Sequence, residues 1–249
     1  GDADRLAHTM FGDWRGAAGA APATQAAAPA PAPRVILVDM PGAGQAGVVV
    51  ARPGIARDSR DYYAASVANA TLGVGFTSRL NQEIRIKRGL AYGASSNLDA
   101  RRAVGPLLLA TQTKNPSATQ VVGILTAELA RLGREPAPAA ELTTRKAVLV
   151  GSFGRTTERT SGIAAVVADY VAKDVPLSEL ARFAPSIEAV TPAQVQAAAA
   201  RAFAPAQASI VVVGEAREIA DGLRKVYPQL EVIPAAALDL DTPALRKLP

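Results

Sequence analysis

The segment from Leu72 to Tyr92, LGVGFTSRLNQEIRIKRGLAY, decides how this part of the chain folds. Gly73 and Gly75 predict a break after a preceding helix, because glycine adopts turn conformations at little steric cost. Apolar residues then recur every four positions, the spacing of one helical face: Phe76, Leu80 and Ile84. Gly89 supplies the C-terminal stop of this second helix. The segment therefore predicts two helices separated by a turn, followed by a strand that begins at Leu90-Ala91-Tyr92.

Two strand candidates precede this segment and two follow it. They are short apolar or alternating runs bounded by turn residues: Val35–Val38, Gly47–Ala51, Ala91–Leu98 and Val104–Thr111. Pro41-Gly42-Ala43-Gly44 is typical of a turn between the first two. Asp58 is a favoured N-cap residue, with Asp61 three positions on, and it predicts a helix that continues to about Leu72.

The second half of the chain is mainly helical by pattern. Ser117 and Gln120 predict a capping box, and a second box is predicted at Thr191-Pro192-Ala193-Gln194. A long helical stretch is expected over 139–172, with weak points at its three glycines, and Ser178 is expected to start a further helix. Ala208–Val213 predicts a last buried strand. This order indicates an α+β fold, in which helices pack on one face of a mostly antiparallel five- or six-stranded sheet.

Composition divides the chain into four parts. Residues 1–15 predict a short helix, and residues 16–33 are almost wholly Ala, Pro, Gly, Thr and Gln, which is typical of an extended linker. The folded domain is predicted over 34–230, and 231–249 is assigned to a C-terminal tail. The chain begins at Gly1 without a recognisable targeting signal.

Several function classes are excluded or disfavoured by composition. The chain has 249 residues, 49% hydrophobic and none of them cysteine, so thiolate metal sites and cysteine nucleophiles are excluded. Its one histidine, His8, lies in a polar stretch, whereas catalytic zinc sites mostly take two or three imidazoles. No metal ligands are therefore assigned, and the chain alone is a poor candidate for a self-sufficient hydrolase.

Net charge and hydropathy limit the classes of binding partner that are expected for this chain. The formal net charge is +5 and the basic residues are scattered, which disfavours nucleic-acid binding and leaves a basic binding module as the weakest alternative. One cluster stands apart: Arg79, Arg85, Lys87 and Arg88. No window approaches the roughly 18 strongly apolar residues of a membrane span, so none is expected.

The segment from Leu72 to Tyr92 resembles the C-terminal homologous domain of the M16 metallopeptidases, the group of pitrilysin and the mitochondrial processing peptidase. The matching features are the Leu-Gly-x-Gly turn, Ser78-Arg79-Leu80, and Arg85 followed by Gly89-Leu90-x-Tyr92. Further similarities follow in the family's order: Phe11-Gly12-Asp13-Trp14, Pro41-Gly42 with Gln45, and Thr191-Pro192 with Val195. The resemblance implies the M16 (LuxS-like metallohydrolase) fold, and it identifies residues 1–15 as the end of a preceding domain.

The resemblance also implies a division of labour. Family members pair a domain that carries His-x-x-Glu-His, which binds zinc, with a domain that carries an Arg and a Tyr seven residues apart. This chain has no His-x-x-Glu-His, so zinc is expected on another domain or subunit, in a heterodimer or a homodimer. Arg85 and Tyr92 fit the second pattern, which implies that they bind peptide and stabilise the transition state. Ser78 and Arg79 are weaker candidates for substrate contact.

Two functions remain open at this point. The first is the substrate-binding half of an M16 zinc peptidase that cleaves peptides. The alternative is a non-catalytic structural subunit with the same fold, like the core proteins of the respiratory bc1 complex. Retention of both Arg85 and Tyr92 favours the first, since a purely structural subunit does not need them. Because many bacterial members are exported, a periplasmic location is expected, with the cytoplasm as the alternative.

Overall fold

The computed structural model describes residues 1–15 and 32–247, which fall into two units that are considered separately. The first contains one helix, α1 (Asp2–Phe11), which buries none of its side chains. Most of the predicted linker at 16–33 lies outside the described residues. The second unit contains the sheet and all the other helices that the structure describes.

A six-stranded sheet forms the centre of the second unit. Its strands are β1 (Val35–Asp39), β2 (Ala46–Pro53), β3 (Ala94–Leu98), β4 (Pro106–Thr113), β5 (Ser209–Gly214) and β6 (Glu231–Pro234). They lie in the order β3-β4-β2-β5-β1-β6. β1 is parallel to both β5 and β6, while the three remaining pairings are antiparallel. The predicted mostly antiparallel α+β fold is confirmed.

The helices of this unit build the main core against one face of the sheet. They are α2 (Tyr62–Gly73), α3 (Arg79–Asn81) with a π-helical turn (Gln82–Ile86), α4 (Ala118–Arg134), α5 (Ala139–Thr157), α6 (Thr160–Ala172), α7 (Glu179–Ala189), α8 (Pro192–Ala202) and α9 (Ala216–Val226). Strand β2 shows the arrangement, because Val48 and Val50 are fully buried in this core while Val49 and Ala51 face the other side and are half-buried. No helix among the described residues is long and apolar enough to cross a membrane.

The C-terminal residues complete the sheet, which differs from the tail expected at 231–249. Strand β6 pairs with β1, and Leu238 and Leu245 pack over the face of β1 that the helices leave open, next to Ile36 and Val38. This explains why Val35–Val38 is a continuous apolar run, since both faces of β1 are covered. The sequence pattern did not predict β6, because a four-residue strand that ends in proline shows little hydrophobic periodicity.

Two helix starts depart from the prediction. Helix α2 begins at Tyr62 with Asp61 as its N-cap residue, instead of at Asp58. The preceding turn is held by tertiary contacts, since Arg57 is buried with its guanidinium 3.8 Å from the centre of the Tyr62 ring. Helix α4 follows a short 3₁₀ turn, and Ser117 makes no side-chain cap there. By contrast, the capping box at Thr191 and Gln194 is confirmed.

The long helical stretch expected over 139–172 is two helices. The helical conformation is interrupted at Glu158-Arg159, between α5 and α6, and not at any of the three glycines in the stretch. Arg159 adopts an extended conformation there, as the N-cap position of a helix commonly does. The glycines weaken a helix without ending it, so the break was not visible from composition.

Candidate functional site

The loop between α2 and α3, residues 74–78, brings the chain close to strand β3. A Cβ atom on Gly73, the last residue of α2, would lie 2.2 Å from the backbone nitrogen of Ser96. Gly75 has a φ of +82°, a conformation that other residues adopt with strain. The Leu-Gly-x-Gly turn is therefore required for close approach at its first glycine and for backbone conformation at its second.

Asn81 joins this loop to the start of strand β3. Its amide nitrogen donates to the Gly75 carbonyl at 3.0 Å and to the Ser78 hydroxyl at 3.2 Å. Its amide oxygen accepts a hydrogen bond from the Ala94 backbone nitrogen at 3.0 Å. Since Asn81 is buried, it fixes the distance between the two chain segments that carry Arg85 and Tyr92. No sequence pattern had indicated a role for Asn81.

Arg85 lies in the π-helical turn that follows α3. The Lys87 backbone nitrogen donates to the Gln82 carbonyl five residues earlier, at 2.9 Å, which gives the turn its wide geometry. Leu80 and Ile84 are fully buried and anchor this short helical segment in the core. Single π-helical turns are frequent at functional sites because they redirect a side chain within a helix.

Tyr92 lies in the segment before β3, which contradicts the prediction that a strand begins at Leu90. The strand begins at Ala94, and residues 90–93 are held by β4 instead. The Thr113 hydroxyl donates to the Leu90 carbonyl at 2.6 Å, and the Thr111 hydroxyl donates to the Gly93 carbonyl at 2.7 Å. These two hydrogen bonds fix the backbone on both sides of Tyr92, although its side chain is 88% exposed.

The structure brings Arg85 and Tyr92 together. The Arg85 guanidinium carbon lies 4.5 Å from the centre of the Tyr92 ring and 4.6 Å from the centre of the Phe76 ring. Both distances are within the range of cation–π attraction. These three residues are called the Arg85 stack. Phe76 was expected on the buried helix face, but its side chain is largely exposed because it lies in the loop before α3.

Ion pairing distinguishes Arg85 from the other members of its basic cluster. Lys87 and Arg88 both bind the Glu83 carboxylate, and their hydrogen bonds lower the pKa of Glu83. Arg79 pairs with Glu141. Arg85 makes neither an ion pair nor a side-chain hydrogen bond within residues 1–15 and 32–247 that the structure describes. Its N–H donors therefore bind no acceptor among these residues.

The structure places Ser78 and Arg79 inside the domain, which argues against the predicted substrate contact. Ser78 is fully buried and accepts a hydrogen bond from Asn81. Arg79 is 9% exposed and binds both oxygens of the Glu141 carboxylate, at 3.0 and 2.8 Å. Arg79 therefore holds α3 onto α5, Ser78 ties the loop to α3, and a peptide could reach either residue only after the domain had rearranged.

We expect Glu141→Ala to lower the free energy of unfolding by about 3 kcal/mol, the lower end of the usual cost of breaking a buried pair, because this pair is partly buried and the Arg79 charge is left uncompensated. The substitution would also remove the negative charge near the buried Arg145, whose pKa is lowered by burial and raised by Glu141. Urea unfolding measures the change. Glu135→Ala is the control, because it removes an exposed pair with Arg131. Equal stability of the two variants would contradict this assignment.

The structure gives no basis for a metal centre in the residues it describes. Among residues 1–15 and 32–247 no three His, Asp or Glu side chains lie close enough together to hold a metal ion. The lone histidine, His8, is exposed on α1, and its ring contacts Asp4 of the same helix. These residues do not fit a zinc site.

Comparison with known proteins identifies the domain type. The family described as the peptidase M16 inactive domain matches residues 2–149, which is more than half of the chain. An uncharacterized zinc protease of Streptomyces coelicolor is 50% identical over 52 residues, 21% of this chain and 11% of that protein. The family match over residues 2–149 includes the segment that forms the Arg85 stack.

Solved structures have the same fold. The M16 inactive domain structure from Pseudomonas fluorescens is 30% identical, with a TM-score of 0.68, and the alignment covers 73% of this chain and 44% of that one. A protease from Helicobacter pylori is 22% identical, with the same TM-score and coverage. A chain of Complex III2 from Candida albicans is 16% identical, with a TM-score of 0.72, and covers 91% of this chain and 56% of its own. The present chain thus spans less than half of the first two.

Proposed function

The chain belongs to the family of M16 peptidase inactive domains, and on this premise we propose that it supplies the Arg85–Tyr92 half of a zinc peptidase. The observation that carries the proposal is the Arg85 stack. It holds a guanidinium without an ion-pair partner among the described residues 4.5 Å from an exposed tyrosine ring. The substrate would be a peptide in an extended conformation.

Tyr92 would act as the donor to the oxygen that becomes negative during peptide hydrolysis. Its phenol is exposed, while its backbone is fixed on both sides by Thr111 and Thr113. A donor that is held in place before the reaction stabilises developing charge without a cost for reorienting it. The hydroxyl itself donates to no acceptor among the described residues, so it is available to a substrate oxygen.

Arg85 would bind the peptide backbone near the same oxygen. A guanidinium presents several N–H donors in one plane and suits two neighbouring carbonyl oxygens or a carboxylate. The rings of Phe76 and Tyr92 lie 4.6 and 4.5 Å from the guanidinium carbon and hold the group beside Tyr92. Peptide and donor would thus be placed together before the bond is cleaved, which lowers the entropic part of the barrier.

The zinc would come from a partner domain or subunit, because the described residues of this chain do not fit a metal site. When bound there, the metal supplies the activation of the attacking water. The chain's own contribution would be to hold the peptide and to stabilise the negative oxygen. The periplasmic location stays a prediction.

Helix α1 supports a partner with the same fold. The sequence from Gly1 to Trp14 resembles that from Gly214 to Tyr227: both begin Gly-acidic-Ala, and four apolar or aromatic positions coincide, although Phe11 corresponds to Arg224 and Asp13 to Val226. In α9 these positions, Ile219, Ala220 and Leu223, are buried in the core. Their counterparts in α1 are Leu6, Ala7 and Met10, which remain exposed. We therefore expect α1 to pack on another sheet of the same kind, as α9 packs on this one.

The alternative is a structural subunit of the kind found in the respiratory bc1 complex. The similarity to a chain of Complex III2 covers 91% of the present chain. At 16% identity it shows the fold alone. The alternative does not account for an exposed Tyr92 with a fixed backbone and an Arg85 without a carboxylate partner among the described residues.

The zinc content and the peptidase activity of the purified chain test the proposal that zinc is bound by a partner and not by this chain. With no cysteine and one histidine, we expect the chain alone to bind zinc only nonspecifically and to hydrolyse no peptide. Adding the zinc-bearing partner should give turnover that a chelator abolishes. Metal analysis and cleavage of a quenched fluorescent peptide measure both. Tight, stoichiometric zinc in the isolated chain, or chelator-sensitive turnover by it alone, would overturn the proposed division.

A further inference from the structure

A cavity of about 430 Å³ lies beside Tyr92 on the sheet face that the helices leave open. Its walls and floor include Gly47 and Val49 of β2, Ala110 and Gln112 of β4, and Tyr92 with Gly93. The strand residues in this set are the half-buried or exposed ones of the alternating pattern, so they point away from the main core. Tyr92 is shared between the cavity and the Arg85 stack.

Two small residues, Gly47 and Ala110, lie at diagonal positions on adjacent strands and leave room for the cavity. Gly47 pairs with Gln112, and Val49 pairs with Ala110 in the adjacent strand. A Cβ atom added to Gly47 would have no neighbour within 4 Å, so the missing side chain leaves open space. A strand gains little stability from glycine, and glycine in a strand often marks a place where a ligand approaches closely.

We propose that this cavity is a subsite for one large apolar side chain of an extended peptide whose backbone is bound by Arg85 and Tyr92. The inference rests on the proposed function and adds the class of side chain that the site accepts. Hydrogen-bond complementarity between a guanidinium and backbone carbonyl oxygens identifies the occupant. Arg85 is a cation without a carboxylate among the described residues, and its guanidinium lies next to the Phe76 and Tyr92 rings while its N–H donors bind no acceptor in the part of the chain that the structure describes. A peptide backbone offers carbonyl oxygens to those donors.

The lining determines which side chain fits. The volume is in the range of about 300–1,000 Å³ that is usual for ligand sites. The side chains that line it are aliphatic or aromatic apart from Thr111 and Gln112, and no charged residue lines it. A charged side chain would lose its hydration there without gaining a partner, which is costly. Leucine, methionine or phenylalanine would bury apolar surface, so these are the expected residues.

Binding of blocked peptides to the 249-residue chain tests the subsite without any zinc. The probes are octapeptides with acetylated and amidated ends that differ only at one central residue: Gly, Ala, Leu, Phe or Asp. We expect the Leu and Phe peptides to bind about tenfold more tightly than the Gly and Asp peptides, the effect of a partly enclosed apolar side chain. Fluorescence anisotropy gives the Kd values, and NMR shifts should centre on Tyr92 and Ala110.

Gly47→Val fills the cavity with a side chain that suits a strand. In this variant the preference for Leu over Gly should fall below about twofold, as the apolar surface is no longer available. Ala51→Val is the matched control, because Ala51 lies on the same face of β2 outside the cavity. It should retain the preference. Equal binding of the Leu and Gly peptides, binding of none, or a preference that survives Gly47→Val would overturn the subsite.

The result is separable from the catalytic proposal. If Tyr92→Phe were to leave turnover unchanged while the Leu preference persisted, the catalytic role would fail and the subsite would stand as a peptide-binding site. If turnover depended on Tyr92 while the side-chain preference were absent, the catalytic role would stand and the subsite would fail.

Discussion

In the complex with the zinc-bearing partner, Tyr92→Phe should lower kcat by about 10²–10³-fold and change KM little. The substitution removes one hydroxyl and almost no volume. The ring stays beside Arg85. The hydrogen bonds that Thr111 and Thr113 donate to the backbone on either side of residue 92 do not involve the Tyr92 hydroxyl. Folding and assembly should therefore be unchanged. Steady-state kinetics on a fluorogenic peptide, with the amount of assembled complex measured by gel filtration, gives the result.

Arg85→Ala gives the contrasting arm of this experiment. It removes a contact to the peptide in both the ground state and the transition state, so KM should rise as kcat falls. A structural pair would behave in the opposite way, with lower thermal stability or failed assembly and normal turnover per complex. Full activity of an assembled Tyr92→Phe complex would refute the oxyanion role and favour the structural subunit.

Gly73→Ala should destabilise the domain by about 3 kcal/mol or more, at the upper end of the usual cost of overpacking. The new methyl group would meet the Ser96 backbone nitrogen at 2.2 Å and its hydroxyl oxygen at 2.5 Å. To remove this steric overlap the β3 backbone must shift, because backbone atoms cannot rotate away as a long side chain can. Since β3 follows Tyr92 directly, the shift should also separate Tyr92 from Arg85 and reduce activity.

Gly123→Ala is the control for Gly73→Ala. Gly123 lies on an exposed face of α4, and its added methyl group would have no neighbour within 4 Å. Alanine is the better helix former there, so this variant should gain about 0.5–1 kcal/mol. Thermal and urea unfolding measure both. An unfolding free energy for Gly73→Ala within about 0.5 kcal/mol of the parent would show that the close approach is not rigid, given that surface substitutions usually stay in that range.

Local patterns predicted much of the fold. The capping box at Thr191 is confirmed because its two hydrogen bonds depend only on residues three positions apart. The turn at Gly75 and the helix stop at Gly89 also follow the prediction, since both residues have positive φ angles. Strand β6 and the covered outer face of β1 could not be predicted, because they depend on the C-terminal residues returning to the sheet.

The candidate site divides in the same way. The sequence by itself determined the family-type motif, the separation of Arg85 from Tyr92 and the lack of cysteine and of more than one histidine. Only the tertiary structure decided which side chains a substrate could reach. Ser78 and Arg79 lie in the same motif as Arg85, yet they are buried because Asn81 and Glu141 bind them. Phe76 is exposed, and the cavity beside Tyr92 arises where Gly47 of a distant strand faces β4. Burial is a property of what packs on a residue from elsewhere in the chain, which spacing along the sequence does not record.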